Sequence, residues 1–322
     1  MMALSRRKRK RNSVPHSHLY KHYNMGIKYL NVDALMKIIE LKGDEQIGVV
    51  VPTANSNGHL FNNFIKNVKA QKNLIPTVIA VESSGTDFNF SKSVNTGIAY
   101  LLNNFKKLEY ICITNDDVIL PFNFISEMIE GLKGDELIGY ITPLFQRGNE
   151  IVNNFIEMPS YSSIIGFTKF YNVLYMLKRI TFPLVIMGIR IINKLKKDST
   201  KQNINGMINC QPICFLKRNT IEDIGLFDEK FNNGCEDLDY AIRTYLLGYE
   251  VLIHKNVVVQ DIGSATVGKG GFNALYINKN NDNGYRSAKN WEYLAKKFGR
   301  KRYKLFLRLS KNKNVYFPYN YS

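Results

Sequence analysis

The sequence contains few cysteines and prolines and no long apolar segment. Its 322 residues include four cysteines and nine prolines. Four cysteines are too few for a disulfide framework, and few prolines together with 45% hydrophobic residues exclude a collagen-like or disordered chain. The sequence has no run of 18 uncharged apolar residues, so we expect no membrane-spanning helix. The N-terminal residues lack the apolar stretch of a signal peptide. We therefore expect a globular protein in a reducing, cytoplasmic location.

The net charge of +17 is concentrated in three segments. Residues 1–28 contain eight Lys or Arg and no acid, and residues 286–322 contain eleven Lys or Arg and one acid. A third segment, 169–201, contains eight Lys or Arg and one acid, and the rest of the chain is net acidic. This distribution predicts a globular body whose basic segments contact an anionic partner, either lipid headgroups or nucleic acid.

Strand and helix patterns alternate along the chain. Apolar runs predict strands at 47–51, 77–82, 110–114, 137–142 and 209–216. Apolar residues at helical spacing and capping residues predict helices at 26–42, at 59–70, from a Ser91 cap to Phe105, and at 236–247. This order predicts an α/β fold with a mostly parallel central sheet flanked by helices.

Polar side chains follow three of these strands. They are Thr53 and Asn55 after the first, Glu82 after the second, and Asn115, Asp116 and Asp117 after the third. Ligands of parallel sheets bind outside the carboxyl ends of the strands, so we expect a binding site there. The adjacent carboxylates suit Mn²⁺ or Mg²⁺ bridging a diphosphate, and the alternative is an Asx turn with a solvated carboxylate.

A second acidic cluster, Glu236, Asp237 and Asp239, stands at the start of a predicted helix. The helix dipole stabilises acidic side chains there, which is a structural explanation for some of them. A carboxylate at this position is also well placed to act as a general base toward an acceptor hydroxyl. Arg243 is about two turns further on, and the pattern favours an ion-pair role for it over contact with an acceptor.

Together these segments resemble the inverting nucleotide-sugar glycosyltransferases of family 2, whose fold is called GT-A. The resemblance covers residues 46–275 and is most specific between Ile224 and Tyr249. That stretch is similar to the family motif GxFDExFxxxxEDxDxxxRxxxxGY. No QxxRW motif follows it, so the resemblance does not extend to processive polysaccharide synthases and implies transfer of a single sugar.

The resemblance implies roles for individual residues. Those that would contact the nucleotide-sugar are Pro52, Thr53, Asn55, Glu82, Asn95, Gly97, Asn115 and Asp116. Asn115 replaces the first Asp of the metal-binding DxD motif, so Asp117 would carry most of the coordination of Mn²⁺ or Mg²⁺. Asp261 stands near the position of a metal-ligating His in the family and could substitute as an oxygen ligand. Asp237, with Glu236 beside it, would be the catalytic base.

These patterns predict five segments. They are a basic arm plus helix at 1–45, a nucleotide-sugar-binding half at 46–154, a basic amphipathic insertion at 155–204, an acceptor or catalytic half at 205–275, and a basic C-terminal extension at 276–322. The insertion either lies in a membrane interface or packs on the core as a lid or acceptor-side subdomain.

The expected function is metal-assisted, inverting transfer of a sugar to a hydroxyl acceptor on a glycan, glycolipid or protein glycan. Residues 169–201 and 286–313 would contact an anionic membrane surface, which makes the protein peripheral to the membrane. The alternative is a catalytically weak binding module of the same fold, whose basic arms bind nucleic acid.

Overall fold

The computed structural model describes residues 36–72, 74–83, 89–134, 136, 138–152, 155–157, 203–205, 207–209, 213–231, 234–247, 249–262 and 283–298. The predictions for the N-terminal arm, for most of the 155–204 insertion and for residues 299–322 lie outside the described residues.

The described residues form twelve strands and six helices. The strands are β1 Lys37–Leu41, β2 Asp44–Thr53, β3 Pro76–Glu82, β4 Tyr110–Ile113, β5 Val118–Ile119, β6 Ile138–Arg147, β7 Glu150–Val152, β8 Phe155–Glu157, β9 Asn203–Asn205, β10 Met207–Asn209, β11 Cys214–Lys217 and β12 Glu250–Asp261. The helices are α1 His59–Lys69, α2 Phe90–Asn104, α3 Phe124–Leu132, α4 Arg218–Ile224, α5 Glu236–Leu246 and α6 Asn283–Phe298.

Ten strands form one central sheet in the order β1, β3, β2, β4, β11, β6, β12, β5, with β7 beside β6 and β9 beside β12. Strands β2, β3 and β4 are parallel, β11 is antiparallel to both β4 and β6, and β12 is parallel to β6. Because β11 reverses direction between them, β4 and β6 point the same way. The carboxyl ends of β2, β3, β4, β6 and β12 therefore share one edge, and the predicted α/β class with a helix-flanked central sheet is confirmed.

Both faces of the sheet are buried by helices. Val50 of β2 belongs to the apolar cluster that contains α2, α4, α5 and α6, whereas its neighbours Val49 and Val51 belong to the cluster that contains α1 and α3. Successive side chains of a strand point to opposite faces, so a continuous apolar run is what a doubly covered strand requires.

Helix α2 lies unusually close to β2 because each element offers a glycine to the other. A Cβ on Gly97 of α2 would stand 2.5 Å from Cγ1 of Val50, and a Cβ on Gly48 of β2 would stand 2.4 Å from Cδ1 of Leu101. The valine and the leucine fill the spaces that the two glycines leave. Gly97 thus has a packing role here, whereas the resemblance implied contact with the nucleotide-sugar.

The helix predicted at 26–42 is wrong over its described part, because Lys37–Leu41 is the edge strand β1. Met36 and Ile38 pack against one apolar cluster, and Ile39 and Leu41 pack against the other. A strand that is half-buried on both faces loses the alternation of apolar and polar residues, and its apolar spacing then resembles that of a helix.

The cap predicted at Ser91 is also wrong. Helix α2 begins at Phe90, and the side chain of Asn89 caps it by accepting a hydrogen bond of 2.9 Å from the backbone N–H of Lys92. Ser91 is instead buried within the first turn. Asn and Ser are about equally good N-caps, so local preference alone did not separate the two positions.

The predicted C-terminal extension includes a core helix. In α6, Leu294 and Phe298 are buried in the same apolar cluster as α2 and α5. Lys297 is also buried, with a side chain 8% exposed, so it is not available to the membrane surface that was expected to contact 286–313. Within the described ranges, no helix combines the length and the apolar composition that crossing a bilayer requires.

We predict that Gly97→Ala destabilises the protein by about 1–3 kcal/mol, because the added methyl overlaps Val50 and outweighs the gain in helix propensity. Urea unfolding measures the change. Asn103→Ala, on the exposed face of the same helix, is the control and should be neutral or slightly stabilising. In a Val50→Ala background the cost of Gly97→Ala should shrink, and an equal cost in both backgrounds would contradict the proposed contact.

Candidate active site

The polar residues after β2, β3 and β4 are brought together at the carboxyl edge of the sheet. The hydroxyl of Thr53 donates to the carboxylate of Asp116 at 2.6 Å, which links the ends of β2 and β4. The hydroxyl of Ser56 donates to Glu82 at 2.6 Å and links the loop after β2 to the end of β3. This edge is therefore a connected polar surface, as expected for a ligand site in a parallel sheet.

The loop after β2 is shaped by its own polar groups. Pro52 is buried in β2 opposite Val81 of β3. The carboxamide oxygen of Asn55 accepts from the backbone N–H of Asn57 at 3.0 Å, and the backbone carbonyl of Asn55 accepts from Gly58 at 3.0 Å. These bonds form an Asx turn that leads into α1, so Asn55 holds the loop's shape at the edge of the site.

The predicted metal residues lie at neighbouring positions. Asp261 ends β12 opposite Val118 of β5, and the backbone N–H of Ile262 donates to the carbonyl of Asp117 at 3.0 Å. Asp117 is 8% exposed. Asp261 forms an ion pair with Arg147 at the end of β6.

The described part of the chain contains no group of three His, Cys, Asp or Glu side chains that could hold a metal ion. The pKa of Asp116 is raised because the effect of burial is larger than the opposite effect of the hydrogen bond from Thr53. Asp117 and Asp261 are two carboxylate side chains, and Asp261 already balances the charge of Arg147. These residues therefore do not make up a complete metal site by themselves.

Asn95, for which the resemblance implied contact with the nucleotide-sugar, has a structural role in the fold. Its amide nitrogen donates to the carbonyl of Phe227 at 2.9 Å and to Oε1 of Glu229 at 2.8 Å, and its oxygen accepts from the N–H of Phe227 at 2.8 Å. Asn95 is only 1% exposed. It ties α2 to the loop after α4.

Glu236 and Asp237 lie on the first turn of α5, close to the carboxyl edge of the sheet. Burial and then the charge of Asp237 raise the pKa of the Cys214 thiol. Cys214 is the first residue of β11 and pairs with Ile113, the last residue of β4. The charge of Asp237 therefore acts on the residue that pairs with the end of β4, the strand that is followed by Asn115, Asp116 and Asp117.

The backbone is strained immediately before this acidic pair. Cys235 has φ of 69°, a left-handed conformation that non-glycine residues rarely adopt. Its carbonyl accepts the first hydrogen bond of α5, from the N–H of Asp239 at 2.9 Å. Glu236 accepts from the N–H of Gly234, and Asp237 accepts from the N–H of Leu238 at 2.7 Å. Strain of this kind persists only where the surrounding structure enforces it.

Both carboxyl groups have raised pKa values. Burial raises the pKa of Asp237, and burial followed by the charge of Asp237 raises the pKa of Glu236. A carboxylate whose pKa lies closer to neutrality is a stronger base than a solvated one. The pair is therefore suited to accept a proton near neutral pH.

Behind this pair, Asp239 and Arg243 form a buried ion pair with Nε to Oδ2 at 2.9 Å. The same guanidinium donates to the carbonyls of Ile224 at 2.7 Å and Leu226 at 2.8 Å. The prediction that Arg243 serves as an ion-pair partner is confirmed. Arg243 thereby joins α5 to the segment that follows α4.

Lys297 is the second cation that binds Asp239, and no pattern in the sequence singled it out as a site residue. Its ammonium lies 2.6 Å from Oδ2 of Asp228 and 2.7 Å from Oδ1 of Asp239. Tyr293 donates to the same oxygen of Asp228 at 2.9 Å. Lys297 is 69 residues from Asp228 along the chain and stands among many other basic residues, so composition alone could not distinguish it.

No protein-family model matches the sequence, and no curated protein is similar to it. Among solved structures, the chain is similar to the mannosyltransferase PcManGT from Pyrobaculum calidifontis in complex with GDP-Man and Mn²⁺, with a TM-score of 0.45 and 17% identity over 84% of this chain and 71% of that one. It is also similar to GalNAc-T7 with UDP, GalNAc and Mn²⁺, with a TM-score of 0.45 and 14% identity over 82% of this chain and 54% of that one. The chain thus spans about half of the GalNAc-T7 chain. Similarity of this degree concerns the arrangement of strands and helices and not the activity.

We predict that Glu236→Gln stabilises the protein when the pH of the solution is above the ordinary pKa of a glutamate. Because the pKa of Glu236 is raised on folding, the folded chain binds this proton more tightly than the unfolded chain, and stability falls as pH rises through the interval between the two pKa values. The variant lacks this loss, so its melting temperature should exceed that of the wild type by a few degrees at neutral pH.

Scanning calorimetry between about pH 4 and about pH 8 measures this difference, which should vanish at the acidic end. Glu109→Gln, which changes an exposed carboxyl group, is the control and should show little dependence on pH. A Glu236→Gln variant that is less stable than the wild type at neutral pH would contradict the raised pKa.

Proposed function

We propose that this protein is an inverting glycosyltransferase of the GT-A type, which moves one sugar from a nucleoside-diphosphate-sugar to an acceptor hydroxyl. The observation that carries the proposal is the pair of half-buried carboxyl groups, Glu236 and Asp237, with raised pKa values at the start of α5. The charge of Asp237 acts on Cys214, which pairs with the last residue of β4, and ligands of such sheets bind at the carboxyl ends of the strands. The motif resemblance between Ile224 and Tyr249 supports the same assignment.

The nucleotide-sugar would lie along the carboxyl edge of β2, β3 and β4. The linked side chains of Thr53 and Asp116, and of Ser56 and Glu82, present carboxylate oxygens in a partly buried setting. Carboxylates accept strong hydrogen bonds from the hydroxyls of a ribose or the N–H groups of a base. This edge would therefore orient the nucleoside, and the sugar would point toward α5.

Asp237 would accept the proton of the acceptor hydroxyl as its oxygen attacks the anomeric carbon. The new C–O bond forms on the face opposite the diphosphate, while the bond from the anomeric carbon to the phosphate oxygen breaks and its electron pair leaves with the nucleoside diphosphate. The configuration of the anomeric carbon is then inverted. The charge of Asp237 raises the pKa of Glu236 beside it, so Glu236 would be the more readily protonated member of the pair.

A divalent ion, if bound, would neutralise charge on the departing phosphate oxygens, with Asp117 and Asp261 as its side-chain ligands. The guanidinium of Arg147 is half exposed and is paired with Asp261, so this side chain supplies a positive charge at the same place.

The function is tested by a panel of nucleotide-sugars in the presence and absence of Mn²⁺ or Mg²⁺. One donor is expected to raise the melting temperature and to be hydrolysed slowly or transferred to a hydroxyl acceptor. If none of them stabilises the chain and none is turned over, the proposal is wrong. Binding of RNA or DNA that weakens steeply with salt would then favour the alternative of a binding module.

For the catalytic base, we predict that Asp237→Asn lowers the transfer rate on the order of 100-fold or more, because the amide cannot accept the acceptor proton. The nucleotide-sugar should still raise the melting temperature of the variant, since Asp237 is not placed in the nucleoside site. Glu222→Gln, an exposed change on α4, is the control. Transfer by Asp237→Asn at the wild-type rate would exclude Asp237 as the base.

A further inference from the structure

A single ammonium group joins three separate segments behind the acidic helix start. Lys297 of α6 lies 2.6 Å from Asp228, in the loop after α4, and 2.7 Å from Asp239, on the first turn of α5. All three side chains are buried, with exposed fractions of 8% for Lys297, 11% for Asp228 and 0% for Asp239. Such a burial of charge is tolerated only when each charge is compensated.

The negative charges of the two carboxylates, Asp228 and Asp239, are matched by the positive charges of Lys297 and Arg243. Arg243 binds the second oxygen of Asp239 at 2.9 Å, and Lys297 binds the first. Burial favours the neutral form of Asp228, yet the hydrogen bond and charge of Lys297 hold the pKa of that carboxyl below its usual value, with help from the N–H of Lys230 and the hydroxyl of Tyr293. Loss of Lys297 would leave Asp228 with hydrogen bonds from neutral groups only.

The position of Asp239 connects this balance to the acidic pair. Asp239 donates its backbone N–H to Cys235, the residue with strained backbone immediately before Glu236. It stands two residues after Asp237 on the same helical turn. A force that holds the carboxylate of Asp239 therefore also holds the turn that carries Glu236 and Asp237.

We infer that Lys297 is a positioning residue for the proposed base, which fixes the first turn of α5 by binding Asp239 and Asp228 at once. The helix α6 is then part of the catalytic unit, although its sequence belongs to the basic C-terminal region. This inference rests on the proposed function of Asp237 and extends it to a residue that does not contact the substrate.

Lys297 also affects the charge around the base. Among the residues that the structure describes, the charged and titratable groups around the first turn of α5 are Asp228 and Lys230 in the loop, Cys214 in β11, Tyr293 and Lys297 in α6, and Cys235, Glu236, Asp237, Asp239, Tyr240 and Arg243 in and next to α5 itself. After burial and the charge of Asp237, the charge of Asp239 also raises the pKa of Glu236, so removing the cation that pairs with Asp239 leaves more uncompensated negative charge beside the acidic pair. The charged form of the base is then disfavoured, and its activity should begin at a higher pH.

The test compares Lys297→Met with Lys296→Met, which removes the exposed neighbouring ammonium of the same helix. For Lys297→Met we expect kcat to fall on the order of 10- to 100-fold and KM for the nucleotide-sugar to change within about twofold. The acid limb of the pH–rate profile should move to higher pH. Lys296→Met should retain the wild-type kcat and pH profile.

Two further variants keep the test valid if Lys297→Met folds poorly. Lys297→Arg retains the charge and should restore the pH profile more fully than it restores kcat, because a guanidinium has a different shape. The double variant Asp228→Asn with Lys297→Met removes one charge of each sign and leaves Asp239 paired with Arg243. It should be more stable than Lys297→Met, and its acid limb should return toward that of the wild type.

The inference is overturned if folded Lys297→Met has the kcat and acid limb of the wild type, if the folded double variant has the kcat of the wild type, or if Lys296→Met shows the same changes as Lys297→Met. Failure of the proposed function is a separate outcome, recognised when the wild type transfers no sugar from any donor; the positioning role then fails with it.

The ion pairs themselves are tested without activity, by thermal unfolding. The pKa of Asp228 is lowered in the folded chain, so its contribution to stability is present above the ordinary carboxyl pKa and is lost as pH falls through the lowered value. The melting temperature of Lys297→Met should therefore lie below that of the wild type at neutral pH, and the gap should shrink in acid. A gap that is constant with pH would contradict the pairing.

Discussion

The structure around the acidic helix start depends on how two buried carboxylates, Asp228 and Asp239, are neutralised. Arg243 supplies one cation from the same helix as Asp239, and Lys297 supplies the other from α6. Removing one partner of these buried ion pairs would leave an uncompensated charge in the interior, which is far more costly than breaking a surface ion pair. The three segments therefore behave as one unit, and the strained backbone at Cys235 is held within it.

The direction of β11 determines where this unit stands relative to the sheet. Because β11 is antiparallel to β4, its first residue, Cys214, pairs with Ile113 at the end of β4. The acidic pair of α5 therefore comes close to the same edge that carries Thr53, Asp116 and Glu82. The packing that buries Glu236 and Asp237 also raises their pKa values, so position and basicity have a common physical cause.

Much of the fold could be predicted because its central strands are buried on both faces. The apolar runs at 47–51, 77–82 and 110–114 correspond to β2, β3 and β4, and the apolar spacing at 59–70 corresponds to α1. The edge strand β1 was predicted as a helix because it is only half-buried on each face. Boundaries and edges are the places where tertiary contacts outweigh local preference.

The sequence by itself determined the central strands β2, β3 and β4 with the helices α1 and α2 between them, the polar ends of these strands and the acidic start of α5, because these follow from local periodicity and from residue type. Only the tertiary structure decided the partners of Asn95 and Lys297. Asn95 bonds to Phe227, 132 residues away, and Lys297 bonds to Asp228, 69 residues away. Such pairings depend on how the chain returns to the sheet, and no local pattern records which distant partner a buried polar group will find.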